Sequence, residues 1–312
     1  MNYQFTLFRT IFGAYLSYHF YEILPYAEEL FTSHGMISHP EYLPAYNLVK
    51  YFTLIDNNIQ IFILTLIALS VMLSLGYLHK AGIFILWLGW VYLFNKNVFI
   101  ANPGIPYVGI LLLVCAMPNH RHMKWVVWFL MMMGYTVSGI HKLQCQSWLD
   151  GTALLHIVAS PIARNNIFTH CFFMLPLGII KIFTWGSLLL ESTSLIFGIF
   201  YHTRKWYWLA LVSMHCTVLL LINFTDLTLG VLMMHVYTFD PNWFKDFWSK
   251  VFELLSIICV SHVYIIIYVF HKYGDVFPKI TELLLTIYLK CLMIAIYIYD
   301  RFALVWKKKL IN

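Results

Sequence analysis

The chain has 312 residues, of which 61% are A, V, I, L, M, F, W, Y or C and only 11% are charged, against about 25% charged in an ordinary soluble domain. With a mean hydropathy of +0.74, it carries more apolar surface than a soluble fold of this size can hide, which excludes a soluble enzyme and a disordered chain. The net charge of +6 is scattered and comes from a scarcity of acids, so membrane lipid is the expected partner and nucleic acid is not.

A membrane-crossing helix needs about 20 mostly apolar residues. Candidate stretches run over 5–24, 59–78, 81–98, 105–118, 125–143, 176–200, 206–223, 226–239, 252–270 and 283–303. The fourth and eighth are short, which suits a tilted, re-entrant or internally buried helix. The first contains Arg9 and has neither a basic leader nor a small-residue cleavage site, so it reads as a retained helix. Ten-residue alternating segments of a barrel are absent. No compositional break or internal repeat divides the chain. The expected fold is all-α: a single transmembrane domain over 1–312, a polytopic bundle of about eight to ten membrane-embedded helices.

Basic residues set the expected orientation. With the N-terminus inside, Lys80, Arg121, Lys124, Arg204, Lys205, Lys245, Lys250 and Lys307 to Lys309 lie at inner ends. Fewer fall in outer loops: Lys50, Lys96, Arg164, Lys272 and Lys279. Both termini are then cytoplasmic, and two long segments, 25–58 and 144–175, lie outside. Cys145 and Cys171 share the second of these and read as two unrelated free thiols, with a bridge, which an oxidising face would permit, as the alternative. No sequence pattern of Cys and His has metal-site spacing, so no metal is expected.

Charge within a bilayer costs several kcal/mol, so each such residue is a functional candidate. The candidates include Arg9, His19, Lys142, Glu191, His215, Asp226, His235, His262, Lys290 and Asp300. Lys142 closes the fifth stretch, with Tyr135 and Ser138 on its helix face and Gly134 and Gly139 allowing close helix approach. A lysine in such a pocket loses solvation of its ammonium form, and a neutral amine is a competent general base. Arginine cannot replace it in that role. The alternative is a lysine snorkelling to the interface. Glu191 sits mid-stretch and reads as a buried carboxylate paired with Arg9 or a lysine. His215 reads equally as a proton carrier or as a packed histidine. Trp148 falls at headgroup level, and Asp150-Gly151 reads as a turn whose aspartate caps a short helix from Thr152.

The run Ser138-Gly-Ile-His141-Lys142-Leu, followed by Ser147-Trp148-Leu149-Asp150-Gly151-Thr152-Ala153-Leu154, resembles the signature of the horizontally transferred transmembrane domain family, which includes the vitamin K-dependent gamma-glutamyl carboxylases. Phe5 to Gly13, Leu24 to Met36, Asn95 to Gly104, Leu190-Glu191, Met214-His215-Cys216 and Thr228 to Gly230 resemble other family segments in the same order. The resemblance implies a membrane enzyme in which Lys142 deprotonates reduced vitamin K or menaquinol. O₂ and CO₂ are the implied co-substrates, and the glutamate of a secreted peptide or protein is carboxylated. Arg9, Tyr135, Ser138, His141, Trp148, Asp150, Gly151, Glu191 and His215 are the implied pocket residues. His120 is the implied partner to the carbanion, although a continuous helix from His120 to Lys142 would hold the two about 33 Å apart.

Two features depart from the carboxylase pattern. After residue 250 only two further apolar stretches and Lys-Lys-Lys-Leu-Ile-Asn follow, and no Trp-Ser-x-Asp segment follows the fourth stretch. A non-carboxylating maturation or export factor for a secreted peptide, and a membrane protein that binds lipid or quinone, are therefore the alternatives.

Overall fold

The computed structural model describes residues 3–36, 41, 43, 45–51, 53–117 and 120–244. The candidate stretches 252–270 and 283–303, with His262, Lys290 and Asp300, lie outside the described residues. So do the side chains of His120 and Asp226. Residues 1–239 form one compact unit, and the chain from Asp240 onward belongs to a second. The second is described only through a 3₁₀ turn, Pro241–Phe244, where Asp240 accepts hydrogen bonds from the backbone and side chain of Asn242.

The described chain is all-helical. In order the helices are α1 (Tyr3–Ile23), α2 (Ala27–Phe31), α3 (Tyr46–Val49), α4 (Thr53–Asp56), α5 (Ile59–Leu75), α6 (Lys80–Lys96), α7 (Gly104–Ala116), α8 (His120–Lys142), α9 (Gln146–Leu149), α10 (Ala153–Val158), α11 (Ile167–Phe173), α12 (Leu177–Ser192), α13 (Ser194–Ile199), α14 (Tyr201–Leu221) and α15 (Thr225–Thr238). Seven of the first eight apolar stretches coincide with one helix each, because an unbroken apolar run ends where the local chemistry ends it. Pro25 follows α1 and stops it. Gly76, at φ +88°, adopts the left-handed conformation that closes α5, donating back to the last-turn carbonyls.

The stretch 176–200 is the exception. It is one run in sequence but two helices in space, broken at Thr193. The amide of Leu195 leaves the helical ladder and donates instead to Thr136 Oγ1 on α8, at 2.9 Å. Side-chain competition for a backbone donor breaks the helix, and no proline or glycine marks the place.

The bundle closes around α15, which packs against α1, α7, α8 and α14. Met234, Thr228, His235 and Tyr237 are fully or almost fully buried on it. Its shortness, like that of the well-buried α7, therefore reflects an internal position. Gln4 at the start of α1 and Lys124 near the start of α8 both bond to the carbonyl of Phe239 just past α15. The first turns of α1 and α8 thus share one end of the bundle, and Lys142 lies at the other. At the Lys142 end, α9 to α11 pack on α12 and α14 around Val158, Phe172 and Ile180.

Among the described residues, one helix, over His122–Lys142, is long and apolar enough to cross a membrane, with 33% of its apolar window buried in the protein. The pair α11 and α12 passes the same test together but bends by 110° at the intervening proline.

At the α1–α5 crossing, Gly13 sits against the Ser74 backbone, and Thr10 and Ser74 exchange hydrogen bonds of 3.1 and 2.9 Å. A side chain at Gly13 would drive the helices apart. Gly13→Val is expected to cost about 1–3 kcal/mol through overpacking, read as a lower thermal midpoint of the purified protein. Gly186→Ala, where nothing lies within 4 Å of the added carbon, is the control and should leave the midpoint unchanged or raise it.

Candidate functional site

Lys142 is the last residue of α8, and Glu191 is one residue from the end of α12. The two helices meet closely because Gly139 lies directly on the backbone of Ser192. That contact brings Lys142 Nζ to 2.5 Å from Glu191 Oε1. The Lys142 side chain is 24% exposed and that of Glu191 7%. The ammonium also lies 4.4 Å from the centre of the Trp148 ring, whose electron-rich face favours a cation. Of the two partners the sequence left open for Glu191, Arg9 or a lysine, the structure pairs it with Lys142, and the ammonium reaches the surface beside Trp148.

One layer deeper, Tyr135 donates to or accepts from His235 Nε2 at 2.8 Å. The Tyr135 ring lies 5.6 Å from that of His215, and the His215 and His235 rings are 6.2 Å apart. The Glu191 charge acts on Tyr135 and Tyr107, and the Lys142 charge acts on His215. Tyr107 presses its hydroxyl against Gly134, so α7 contributes as well. Five helices, α7, α8, α12, α14 and α15, thus deliver Tyr107, Tyr135, Lys142, Glu191, His215 and His235 to one polar neighbourhood, buried at Tyr135, Glu191, His215 and His235 and half-buried at Tyr107 and Lys142.

Of the residues singled out from sequence, the structure brings Lys142, Glu191, Tyr135, His215 and Trp148 together. Ser138 is half-buried on the same helix, and His141 is exposed. Asp150 and Gly151 sit just beyond. Gly151 has φ +81° and is buried against Lys181 and Trp185, where a Cβ would collide with both side chains. Asp150 Oδ1 accepts from Thr152 N at 2.9 Å and from Thr152 Oγ1 at 2.6 Å, leading into α10. Trp185 donates to the Leu149 carbonyl at 3.0 Å and pins the turn to α12. Cys145 and Cys171 are both free and exposed.

Two residues stay apart. Arg9 does not pair with Glu191; its guanidinium lies against Gly76 at the end of α5, near the opposite end of the bundle. His120 begins the continuous helix that Lys142 ends, so the two are about 33 Å apart along it. His235 and Tyr107 were not grouped with the site from sequence. His235 was visible as an imidazole in an apolar run, whereas Tyr107 resembles any interfacial tyrosine.

Among the described residues no group of His, Cys, Asp and Glu has the geometry of a metal site. Two concavities lie away from the cluster. One, of about 550 Å³, is an apolar groove between α6 and α7 lined by Trp87, Trp90 and Phe94. The other, of about 800 Å³, is polar and lined by Glu28, Glu29, His34, Asp56 and Gln60. Beside it Lys96 is buried against Asp56, which also accepts from Tyr92 at 2.6 Å. No protein-family model, no curated protein and no solved structure matches the chain.

Removing one partner of the Lys142–Glu191 pair strands the other charge. Lys142→Met is expected to destabilise by about 2–4 kcal/mol, the range for breaking a largely buried pair after allowance for partial exposure. Adding Glu191→Gln should recover more than half of that loss in a thermal or denaturant titration.

The Asp150 carboxyl is held below the usual carboxylate range, first by the Thr152 hydroxyl and then by the Thr152 N–H. A depressed carboxyl contributes stability above its ordinary value of about 3.9, and that contribution is lost as pH falls through the depressed one. Hydrogen-exchange protection of 150–158, corrected for intrinsic rates, should therefore hold at neutral pH and fall only below the ordinary carboxylate range. Asp150→Asn should flatten that dependence.

Proposed function

We propose that the chain is a multi-pass membrane protein whose Lys142–Glu191 cluster performs base chemistry on a lipid-soluble hydroquinone, in the manner of the vitamin K-dependent carboxylases it resembles. The membrane reading rests on where the apolar side chains go. Leu64, Phe84, Leu88, Phe129, Ile182 and Leu189 are all 46% or more exposed, on helices whose inward faces are apolar too. Helices apolar on every side belong in lipid or in a larger core, and contiguous apolar exposure of this kind is unfavourable in water. Its test is to tag the loop at 144–152 with an impermeant reagent on intact cells, with Cys145 as the native target.

The single observation that carries the enzymatic reading is the composition of the cluster: an ammonium and a carboxylate in contact, half-open at Trp148, backed by two histidines and two tyrosines. The donor set fits a phenolic hydroxyl. Glu191 Oε2 makes no hydrogen bond within the protein and is a free acceptor beside the lysine. A bound hydroquinone would supply an ionisable phenol and the electrons that reduce O₂. Lys142 then has two tasks: to hold the phenol oxygen and to take its proton once the amine is neutral. Glu191 holds the lysine in place and accepts the ammonium proton that must leave first. Trp148 and the Asp150-Gly151 turn cover the outer end and limit access of water.

A second reading, a maturation factor for a secreted peptide, is favoured by the polar groove at Glu28, Glu29 and Asp56. It opens at the same end of the bundle as Lys142, and its volume of about 800 Å³ can take several residues of extended peptide.

The experiment is turnover of reduced menaquinone or vitamin K by purified protein with O₂ and labelled bicarbonate, epoxide and fixed label being assayed separately. Lys142→Ala should lose quinol oxidation by 100-fold or more, on the order expected for a general base. Lys142→Arg should lose it as well, because guanidinium stays protonated. His141→Ala, at an exposed position, should change it little. Quinol turnover by Lys142→Arg at the wild-type rate overturns the base assignment and moves the peptide reading ahead.

A further inference from the structure

The apolar groove of about 550 Å³ between α6 and α7 has the size of a small-molecule site, about 300–1,000 Å³. Its walls are fixed. Trp90 is buried, donates from its indole to the Ile105 carbonyl at 3.1 Å and packs on Phe94 with ring centres 4.5 Å apart. Trp87 stacks on Phe84, 5.2 Å away. Opposite the two indoles stands Gly109. A Cβ there would meet Trp90 Cδ1 at 3.8 Å and Trp87 Nε1 at 3.9 Å, which are ordinary contact distances. Helix packing therefore does not demand this glycine, unlike Gly13 and Gly139, where a Cβ would strike backbone. Alanine is the better helix former. What the glycine preserves is open space in front of the two indoles.

Trp87 brings an unmatched donor to that space. The indoles of Trp90, Trp128, Trp185 and Trp208 each donate to a backbone carbonyl. The half-buried Trp87 makes no hydrogen bond among the described residues, and its Nε1 faces Gly109 across the groove. It is the eighth residue of the 17-residue α6, about 10 Å from the start of the helix and about 14 Å from its end. A bilayer offers no water at that depth, and the ester groups of its lipids lie at headgroup level. An acyl chain filling the groove would leave the donor unsatisfied, which is costly. An indole N–H only donates, so its partner is an acceptor.

We infer that the α6–α7 groove binds a flat, lipid-soluble ring ketone, with its carbonyl oxygen on Trp87 Nε1 and its ring in the space that Gly109 leaves open. The rings of Trp90 and Phe94 suit an aromatic body, which packs on them edge-on or offset. Asn95 and Asn102 line the end of the groove at the α6–α7 connection, so a polar substituent fits there and not beside Leu113. Binding moves no proton and forms no covalent bond. The site rests on the membrane part of the preceding reading, which labelling of Cys145 tests by itself, and not on the chemistry of Lys142.

The test uses the full chain in lipid nanodiscs and 9-fluorenone as the probe. The competitor is fluorene, which has CH₂ in place of the carbonyl. Infrared difference spectra against protein-free nanodiscs should show a saturable carbonyl band below the frequency of fluorenone in lipid, because a hydrogen bond weakens the C=O bond. Fluorene should bind more weakly by roughly 2- to 12-fold, the worth of one neutral hydrogen bond. Trp87→Phe should keep saturable binding but return the band to its lipid position. Gly109→Leu should abolish the saturable band, while Gly109→Ala should keep the fold. The absence of a saturable band with the wild-type protein, or a shifted band that survives Trp87→Phe, overturns the site. Equal affinity for fluorenone and fluorene overturns it too and leaves a groove for acyl chains. Should a variant unfold, the wild-type comparison of the two compounds decides.

Discussion

A lysine and a glutamate held 2.5 Å apart between α8 and α12 constrain much of what surrounds them. Neither charge is tolerable alone at this depth, so the two helix ends must arrive together. Gly139 permits the approach, and the break at Thr193 lets the chain turn away beneath it. Thr136 receives the amide that the break releases. Trp148 stands beside the ammonium, and Trp185 pins the turn that follows it to α12.

The second constraint is the burial of α15. As the helix common to α1, α7, α8 and α14, it carries His235 into the centre of the bundle and seats it against Tyr135. The same helix end receives Gln4 and Lys124 at the Phe239 carbonyl, which ties the far ends of α1 and α8. The packing that gives the unit its shape also supplies the interior of the polar cluster. A substitution in α15 would therefore disturb the packing of the unit and the polar cluster together.

Elsewhere the cations have structural partners. Arg204 is buried, lies 4.1 Å from the Trp125 ring and donates to the Gly198 and Ile199 carbonyls at the end of α13. Lys96 is buried with Asp56 and Tyr92. Arg9 lies at the last turn of α5, where a positive charge complements the helix dipole. Arg9 Nε nonetheless makes no hydrogen bond with any described residue, so unpaired buried atoms are not confined to the Lys142 cluster. What distinguishes the cluster is that Glu191 Oε2, both ring nitrogens of His215 and His235 Nδ1 lie on α12, α14 and α15, with α14 packed against the other two.

The amino-acid sequence by itself determined the helices, because an apolar run of 15 to 20 residues has few ways to satisfy its backbone other than its own ladder. Seven of the first eight stretches became single helices for that reason, while the shortness of α7 and α15 left tilted, re-entrant and buried positions open, and only their packing decided for burial. It also determined Lys142, Glu191 and His215 as costly residues in apolar surroundings, and the Asp150-Gly151 turn from purely local chemistry. Tertiary structure alone decided who meets whom. That Glu191 takes Lys142 and not Arg9, that His235 joins Tyr135, and that α12 ends at Thr193 all depend on contacts across 49 to 100 residues of chain. Spacing along one helix carries no record of such contacts. A hydrophobic pattern specifies that a face is buried. The partner it is buried against is chosen by close packing of several helices at once, as the glycine contact at Gly139 and the threonine at Thr136 choose it here.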